Sequence, residues 1–445
     1  MQLMNEQIKK YFKSKLEDSL DVKYQELYFL GQNVELIYIN SICDTDKIQE
    51  LVVKPFFEIQ DIRKFETYLK SLQSYQEFED MEKALKEVLR GGLVLLTCKS
   101  VHILSLKNYV SEGVKKAEVE TTIQGPQMAL SDDLQQNINM IRHRYHQPSL
   151  IVEKEEVGSV SALELMIVYD KKKVDESILK NIKDKINEIK SSKEMVQSAG
   201  EFQRLLTPQE RTLFPVHMIT ERVDRVALNI SQGKVVLMIE GAPFSLVLPA
   251  VFYDFMSSME DLYQPFWVGK FLVSLRYLGL FISLTLPGAY VAITAYNPEI
   301  FKVQLALGVA GSRASVPYPA FLEVIFMLVM MELLTEASIR LPKSIGSTAT
   351  TVGGLILGQA ATEAGLVSNI MIIIVSAVAI SNFIIPINEM SFAMRVVKYI
   401  ILVVSTLGGT IGLIVSLFAL IAYLVSLDSF GQPYLRLFMN EAKGK

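Results

Sequence analysis

The chain has 445 residues, a net charge of −4 and 50% hydrophobic side chains. Residues 1–230 hold 32 Lys and Arg against 36 Asp and Glu, whereas residues 231–445 hold 12 of each. That split excludes a single soluble domain and reads as a water-soluble half followed by a membrane half, with no nucleic-acid partner expected.

The start, Met1 to Lys10, is polar and has no apolar core, so it does not read as a signal peptide, and the soluble half is expected in the cytoplasm. Residues 5–20 place Ile8, Tyr11, Phe12 and Leu16 at helical spacing. Two strand-and-helix units follow. Val34 to Asn40 precedes a helical 47–53, and Leu163 to Tyr169 precedes a helical 174–189. Val34-Glu35-Leu36 resembles Leu163-Glu164-Leu165, which points to two related subdomains. Between them, 91–98 and 101–105 read as a hairpin turning at Lys99-Ser100. Ala117 to Thr122 alternates like an edge strand, and a helix running to Tyr145 is expected to open at the N-cap Ser131. Residues 191–214 read as a polar linker.

Ala242 to Phe252 is apolar but short and broken by proline, which favours an interfacial or re-entrant position. Spans are expected over 277–298, 321–339 and 364–388. The uncharged run 399–427 suits one tilted helix, or two hinged at Gly408-Gly409. The expected architecture is therefore an α/β amino-terminal region of two related subdomains and then an all-α polytopic membrane domain. Its boundaries are 1–125, 126–215 with the linker, a membrane-proximal 216–268, a helical 269–430 with four to six spans, and a tail 431–445.

No catalytic motif is present, and no enzyme activity is expected. Gly91-Gly92 lacks the lysine and hydroxyl of a phosphate-binding loop. His143 and His146 are flanked by Arg142 and Arg144, which disfavours a bound dication, while His102 and His217 have no evident partners. Cys43 and Cys98 both read as buried structural thiols. No metal or other cofactor is expected.

The candidate functional residues lie around the membrane half. Glu332, Glu336 and Arg340 share one helix face. Either several copies of Glu332 ring a cation path, or Glu332 is a brace bonded to another helix, while Glu336 pairs locally with Arg340. Gln359 and Glu363 sit in a segment too rich in Gly and polar groups to face lipid. Gly354 with Gly358, and Gly408 with Gly412, have the spacing of close helix packing. Glu221, Arg222 and Asp224, with Glu210, Arg211 and Arg225, form a charged cluster before the membrane, a candidate contact for lipid headgroups or neighbouring subunits.

Several pieces, in order, resemble the A subunits of GerA-type nutrient germinant receptors of spore-forming bacteria. They include Gly125-Pro126-Gln127, Asn137 to Arg144, Thr220 to Asp224, Ile239 to Pro249, Glu260 to Tyr263, Phe266-Trp267, Leu286 to Ala292, Glu332 to Pro342 and Gly353 to Ala361. Two positions depart from the pattern: Val223 stands where the family usually has Pro, and Thr335 where it has Arg. The first is expected to loosen a turn. The resemblance implies an inner-membrane subunit of the spore with a cytosolic amino-terminal domain. Its implied partners are a transporter-like, nutrient-sensing B subunit, a lipoprotein C subunit, membrane lipids and further copies of itself in an ion-conducting ring. The alternatives are a secondary transporter component and a non-conducting scaffold for the sensor.

Overall fold

The computed structural model describes residues 2–16, 19–98, 100–108, 116–122, 124–207, 212–341 and 343–435. Lys99 of the hairpin turn, Glu210 and Arg211 of the charged cluster, Pro342 and the tail beyond 435 lie outside the described residues.

Helix α1 (Gln2–Leu16) buries Ile8, Phe12 and Leu16 along one stripe. Strands β1 (Val22–Phe29) and β2 (Gln32–Ile39) are followed by a helical stretch of α2 (Thr45–Ile48), a π turn and α3 (Lys54–Glu58). Then come α4 (Ile62–Ser71), β3 (Tyr75–Glu77), α5 (Met81–Val88), β4 (Gly92–Leu96) and β5 (Val101–Ser105). The strands form an antiparallel sheet in the order β1-β2-β4-β5-β3. Alternation sorts its side chains: Ile37, Ile39, Val94 and Ile103 pack towards α1 and α5, while Val34, Leu36, Leu93 and Leu95 pack towards α3 and α4.

The second subdomain comprises α6 (Leu134–Arg142), β6 (Leu150–Val157), β7 (Leu163–Asp170), α7 (Glu176–Ser192), α8 (Ala199–Leu206), β8 (Met218–Thr220), α9 (Val223–Ser231), β9 (Val235–Ile239) and β10 (Ser245–Leu248). Its order, β6-β7-β9-β10-β8, repeats that of the first sheet, strand for strand. The matching Val34–Leu36 and Leu163–Leu165 lie on the equivalent strands β2 and β7. Gly91 (φ +90°) and Gly233 (φ +86°) likewise take the left-handed turns that lead into β4 and β9.

Here the structure differs from several expectations. Ala242 to Phe252 is not interfacial: it holds β10, which pairs with β9 and β8 inside the second sheet. Strict burial of Leu246, Val247 and Leu248 on both faces explains its apolar, proline-flanked sequence. Residues 191–214 pack rather than link, since Val196, Phe202, Leu206 and Phe214 enter the core. Ala117 to Thr122 forms no strand. Asp133, not Ser131, caps α6, accepting the Gln135 N–H at 2.7 Å, while Ser131 is held by the Asn137 side chain. Cys43 is buried, which pushes its thiol pKa up to about 12, but Cys98 is exposed beside its hairpin turn.

Beyond 265 the chain is helical: α10 (Phe266–Tyr296), α11 (Val303–Arg313), α12 (Ala320–Arg340), α13 (Lys343–Glu363), α14 (Asn369–Phe383) and α15 (Asn388–Ser426), closed by β11 (Asp428–Ser429) and β12 (Gln432–Pro433). Two of these, α10 and α15, are long and apolar enough to cross a membrane among the described residues. α15 is two helices folded back on each other. Gly409 breaks it with φ 57° and ψ −141°, and a Cβ on Gly412 would run into the Val404 carbonyl. Phe214 of the second subdomain accordingly meets both Tyr423, with ring centroids 6.0 Å apart, and a groove wall formed by Phe392 and Val396.

Candidate functional site

Four places in the structure gather polar groups: the seam between the subdomains, the cluster at 221–224, the junction with the helices, and the helical layer itself.

The seam is built by α6. Arg142 donates from Nε and Nη2 to Asp21 at 2.9 and 2.7 Å, and Asp21 also accepts the Ser19 and Ser41 hydroxyls. Burial opposes the Asp21 charge, but the Arg142 guanidinium outweighs it and holds the carboxyl below its usual range. Asn139 donates to the Ser41 and Asn108 carbonyls. Asn139 and Arg142 are therefore structural adhesive between the two subdomains, while Asn137 holds Ser131 within its own.

In the cluster at 221–224, Arg222 and Asp224 are buried and Glu221 is half-buried, so it is not a solvated surface. The Arg222 guanidinium pairs with Asp224 at 2.7 and 3.0 Å and donates to Glu120 O, Thr122 Oγ1 and Pro126 O. Glu221 accepts the backbone N–H groups of Val119 and Glu120. Together they staple Val119, Glu120, Thr122 and Pro126 to the start of α9, so neither Arg222 nor Asp224 is available to a headgroup. Val223 is the first residue of α9, where an N–H has no intrahelical partner.

At the junction, α8, Phe214 to His217 and the 389–396 face of α15 line an open groove of 660 Å³. His217 is buried there, and burial drops its pKa to about 4, so it is neutral. His102 has partners as well, with Nε2 lying 2.8 Å from Ser100 Oγ and 3.9 Å from Glu66. His143 Nε2 meets the Asn108 carbonyl at 3.0 Å, and the described residues contain no cluster able to hold a metal ion.

Inside the helical layer, Glu332 on α12 faces α15. Arg395 donates to its Oε2 from Nε at 2.7 Å and from Nη2, and Lys398 reaches its Oε1 at 3.2 Å. The two cations stand three residues apart on one face of an otherwise apolar segment. That spacing was visible in the sequence, but nothing local connected it to Glu332. Lys398 is 1% exposed, so its charge depends on that carboxylate. Thr335 bonds the Met331 carbonyl of its own helix. Glu336 and Arg340 pair at 2.9 Å on an exposed face. Nearer the opposite end, the buried Glu323 accepts the Ser368 N–H and hydroxyl and pairs with Arg313 at 3.3 Å.

α13 runs antiparallel to α12. A Cβ on Gly353 or Gly354 would sit 3.3 or 3.5 Å from the Leu334 methyls, and one on Gly358 would sit 3.8 Å from Ile372. Gly353 is therefore at a close approach, and Gly354 and Gly358 at ordinary contact. Its opposite face carries Val352, Leu355, Ile356, Gln359 and Glu363, all exposed. Of the second glycine pair, Gly412 is tight and Gly408 has nothing within 4 Å. The residue that matters beside them is Gly409, whose Cβ would lie 2.8 Å from the Tyr296 ring. Tyr296 OH donates to the Thr406 carbonyl at 2.5 Å and Thr410 bonds Asn297 at 2.7 Å, which locks the reversal of α15 to the end of α10.

The architecture is thus a duplicated α/β unit followed by a bundle of apolar helices, two of them long and apolar enough to cross a membrane. The GerA model, described as the Bacillus/Clostridium GerA spore germination protein, matches residues 10–444. The chain belongs to this family. It is 32% identical over 434 residues to spore germination protein KA of Bacillus subtilis (strain 168), covering 95% of this chain and 79% of that one. It is 31% identical to spore germination protein GerQA of Bacillus cereus, covering 94% and 85%. An uncharacterized membrane protein of Bacillus subtilis, YfkQ, is 29% identical, covering 90% and 79%. The crystal structure of the amino-terminal domain of the A subunit of the Bacillus megaterium spore germinant receptor GerK3 aligns with a TM-score of 0.42 at 20% identity, covering 55% of this chain and 93% of that one.

Proposed function

We propose that this chain is the A-type subunit of a nutrient-triggered germination receptor, and that copies of it assemble around an ion path lined by α13. The observation that carries this reading is the outward face of α13. Gln359 lies one turn inside the end of the helix and Glu363 at its end, two polar groups on an exposed face that also carries Val352, Leu355 and Ile356. A water-filled path between copies accommodates such a face. α10, α12, α13, α14 and the two halves of α15 run alternately away from and back towards the second subdomain, which supports a multi-pass chain with both described ends on the cytosolic side of the inner membrane. The Glu332, Arg395 and Lys398 cluster braces α12, and with it α13, against α15. The names of the relatives support the germination role, and a transporter-like nutrient sensor and a lipoprotein are the proposed partners.

The test is ion flux from vesicles containing the full chain with those partners. The reading predicts nutrient-triggered release uncoupled from any co-ion, reduced by Gln359→Leu at unchanged protein content. Release that requires a co-ion gradient indicates a transporter, and no release from active receptor indicates a scaffold.

A further inference from the structure

The amino-terminal end of α10 is longer than a span requires, and it is clad in aromatic residues. Its 31 residues cover ~46 Å, against a hydrocarbon thickness of ~30 Å, so about ten residues project towards the second subdomain. Counted back from Tyr296, the span reaches about Arg276. There the guanidinium pairs with Asp261, with Nη2 to Oδ1 at 2.7 Å, and donates to the Met256 carbonyl at 3.2 Å. The helix is thereby clamped to the turn Met259–Tyr263. What the clamp holds outward is apolar: Leu262 is 62% exposed, Phe266 68%, Trp267 80% and Phe271 61%. Lys270 stands among them with its ammonium 5.6 Å from the Phe266 ring. Tyr263 is seated on Gly125, where a Cβ would lie 2.7 Å from the ring.

We infer that Leu262, Phe266, Trp267 and Phe271, with Lys270, form a rigid anchor in the headgroup layer of the bilayer. Trp267, an apolar ring with one polar N–H, settles at that level, the apolar Leu262, Phe266 and Phe271 beside it enter the acyl boundary, and Lys270 among them meets lipid phosphate. The exposed stripe continues without interruption into Leu275, Leu278 and Phe281, the part of α10 assigned to lipid, so one solvent covers the whole face. The anchor fixes the second subdomain against the membrane surface through the Arg276–Asp261 clamp. This inference rests on the membrane reading above.

Trp267 is the only tryptophan of the chain, so its fluorescence reports this site alone. The experiment uses the full chain in phosphatidylcholine–phosphatidylglycerol vesicles brominated either near the headgroup or near the end of the acyl chain. The expected result is roughly twofold stronger quenching by the shallow bromines than by the deep ones. Equal or stronger quenching by the deep bromines overturns the anchor. So does an absence of lipid quenching in protein that floats with the vesicles, because water or another chain then covers Trp267. A chain that fails to float overturns the membrane reading and the anchor with it. A Phe266→Ser, Phe271→Ser variant, altered only at exposed positions, is expected to keep the clamp but lose the preference for shallow bromines.

Discussion

Glu332 on α12 accepts the Nε–H of Arg395 on α15 at 2.7 Å, and this contact joins two helices that are 63 residues apart in sequence. The carboxylate also serves Lys398, which is fully buried. Glu332→Gln keeps the shape and leaves two cations with no counter-charge. Breaking one side of a buried pair costs ~3–5 kcal/mol, so lower receptor abundance and an earlier melt in detergent are expected. Adding Lys398→Met is expected to restore part of the loss, and a double variant no better than the single one would contradict the brace.

Gly409 and Gly408 are neighbours with opposite tolerance. At φ 57° and ψ −141°, beside the Tyr296 ring, a side chain at 409 is both strained and crowded. Gly409→Ala is expected to destabilise by ~1–3 kcal/mol. Gly408→Ala meets open space and is expected to be close to neutral. Melting temperatures of the two purified variants compare them directly.

His217 makes the stability of the junction depend on pH. Burial lowers its folded pKa from 6.5 to about 4, so the folded chain resists protonation that the unfolded chain accepts. The contribution is complete above pH 6.5 and is lost as pH falls towards about 4, a change of ~3 kcal/mol at 1.36 kcal/mol per unit. Denaturant melts of His217→Gln across this window are expected to show a shallower decline with acid than those of the native chain.

Val223 opens α9, and the residue before it, Arg222, is extended at φ −91° and ψ 122°. Both conditions suit proline at 223. Val223→Pro is expected to be neutral or to stabilise by ~0.4–1 kcal/mol through the unfolded chain, less whatever packing the buried valine gives up. A drop of several degrees in melting temperature would show that this packing dominates.

The sequence was most legible where contacts are local. The β4–β5 hairpin, α1 and the hinge at Gly408-Gly409 follow from periodicity and glycine, and the repeat was signalled by three residues on β2 and β7. Placement across long separations was not legible. β9 and β10 read as a membrane-proximal run because a strand buried on both faces has the composition of a short apolar segment. Arg222 read as surface because charge alone does not reveal the five acceptors gathered around it. The partners of Glu332 stayed hidden for a similar reason: the helix reversal that presents Arg395 and Lys398 is a tertiary event.

The central claim, that α13 lines a water-filled path between copies, is tested most directly by the reactivity of cysteines placed along it. In a full-length chain carrying Cys98→Ser, with Cys43 buried, single cysteines replace Gln359, Ile400 or Phe418. Position 359 lies on the exposed face of α13, and Ile400 and Phe418 are exposed on the two halves of α15. A water-soluble thiol reagent applied to assembled receptor in membranes is expected to label position 359, faster after the nutrient is added, and to leave 400 and 418 unlabelled. If 359 stays as unreactive as 400 and 418 in receptors that release ions normally, α13 does not line the path.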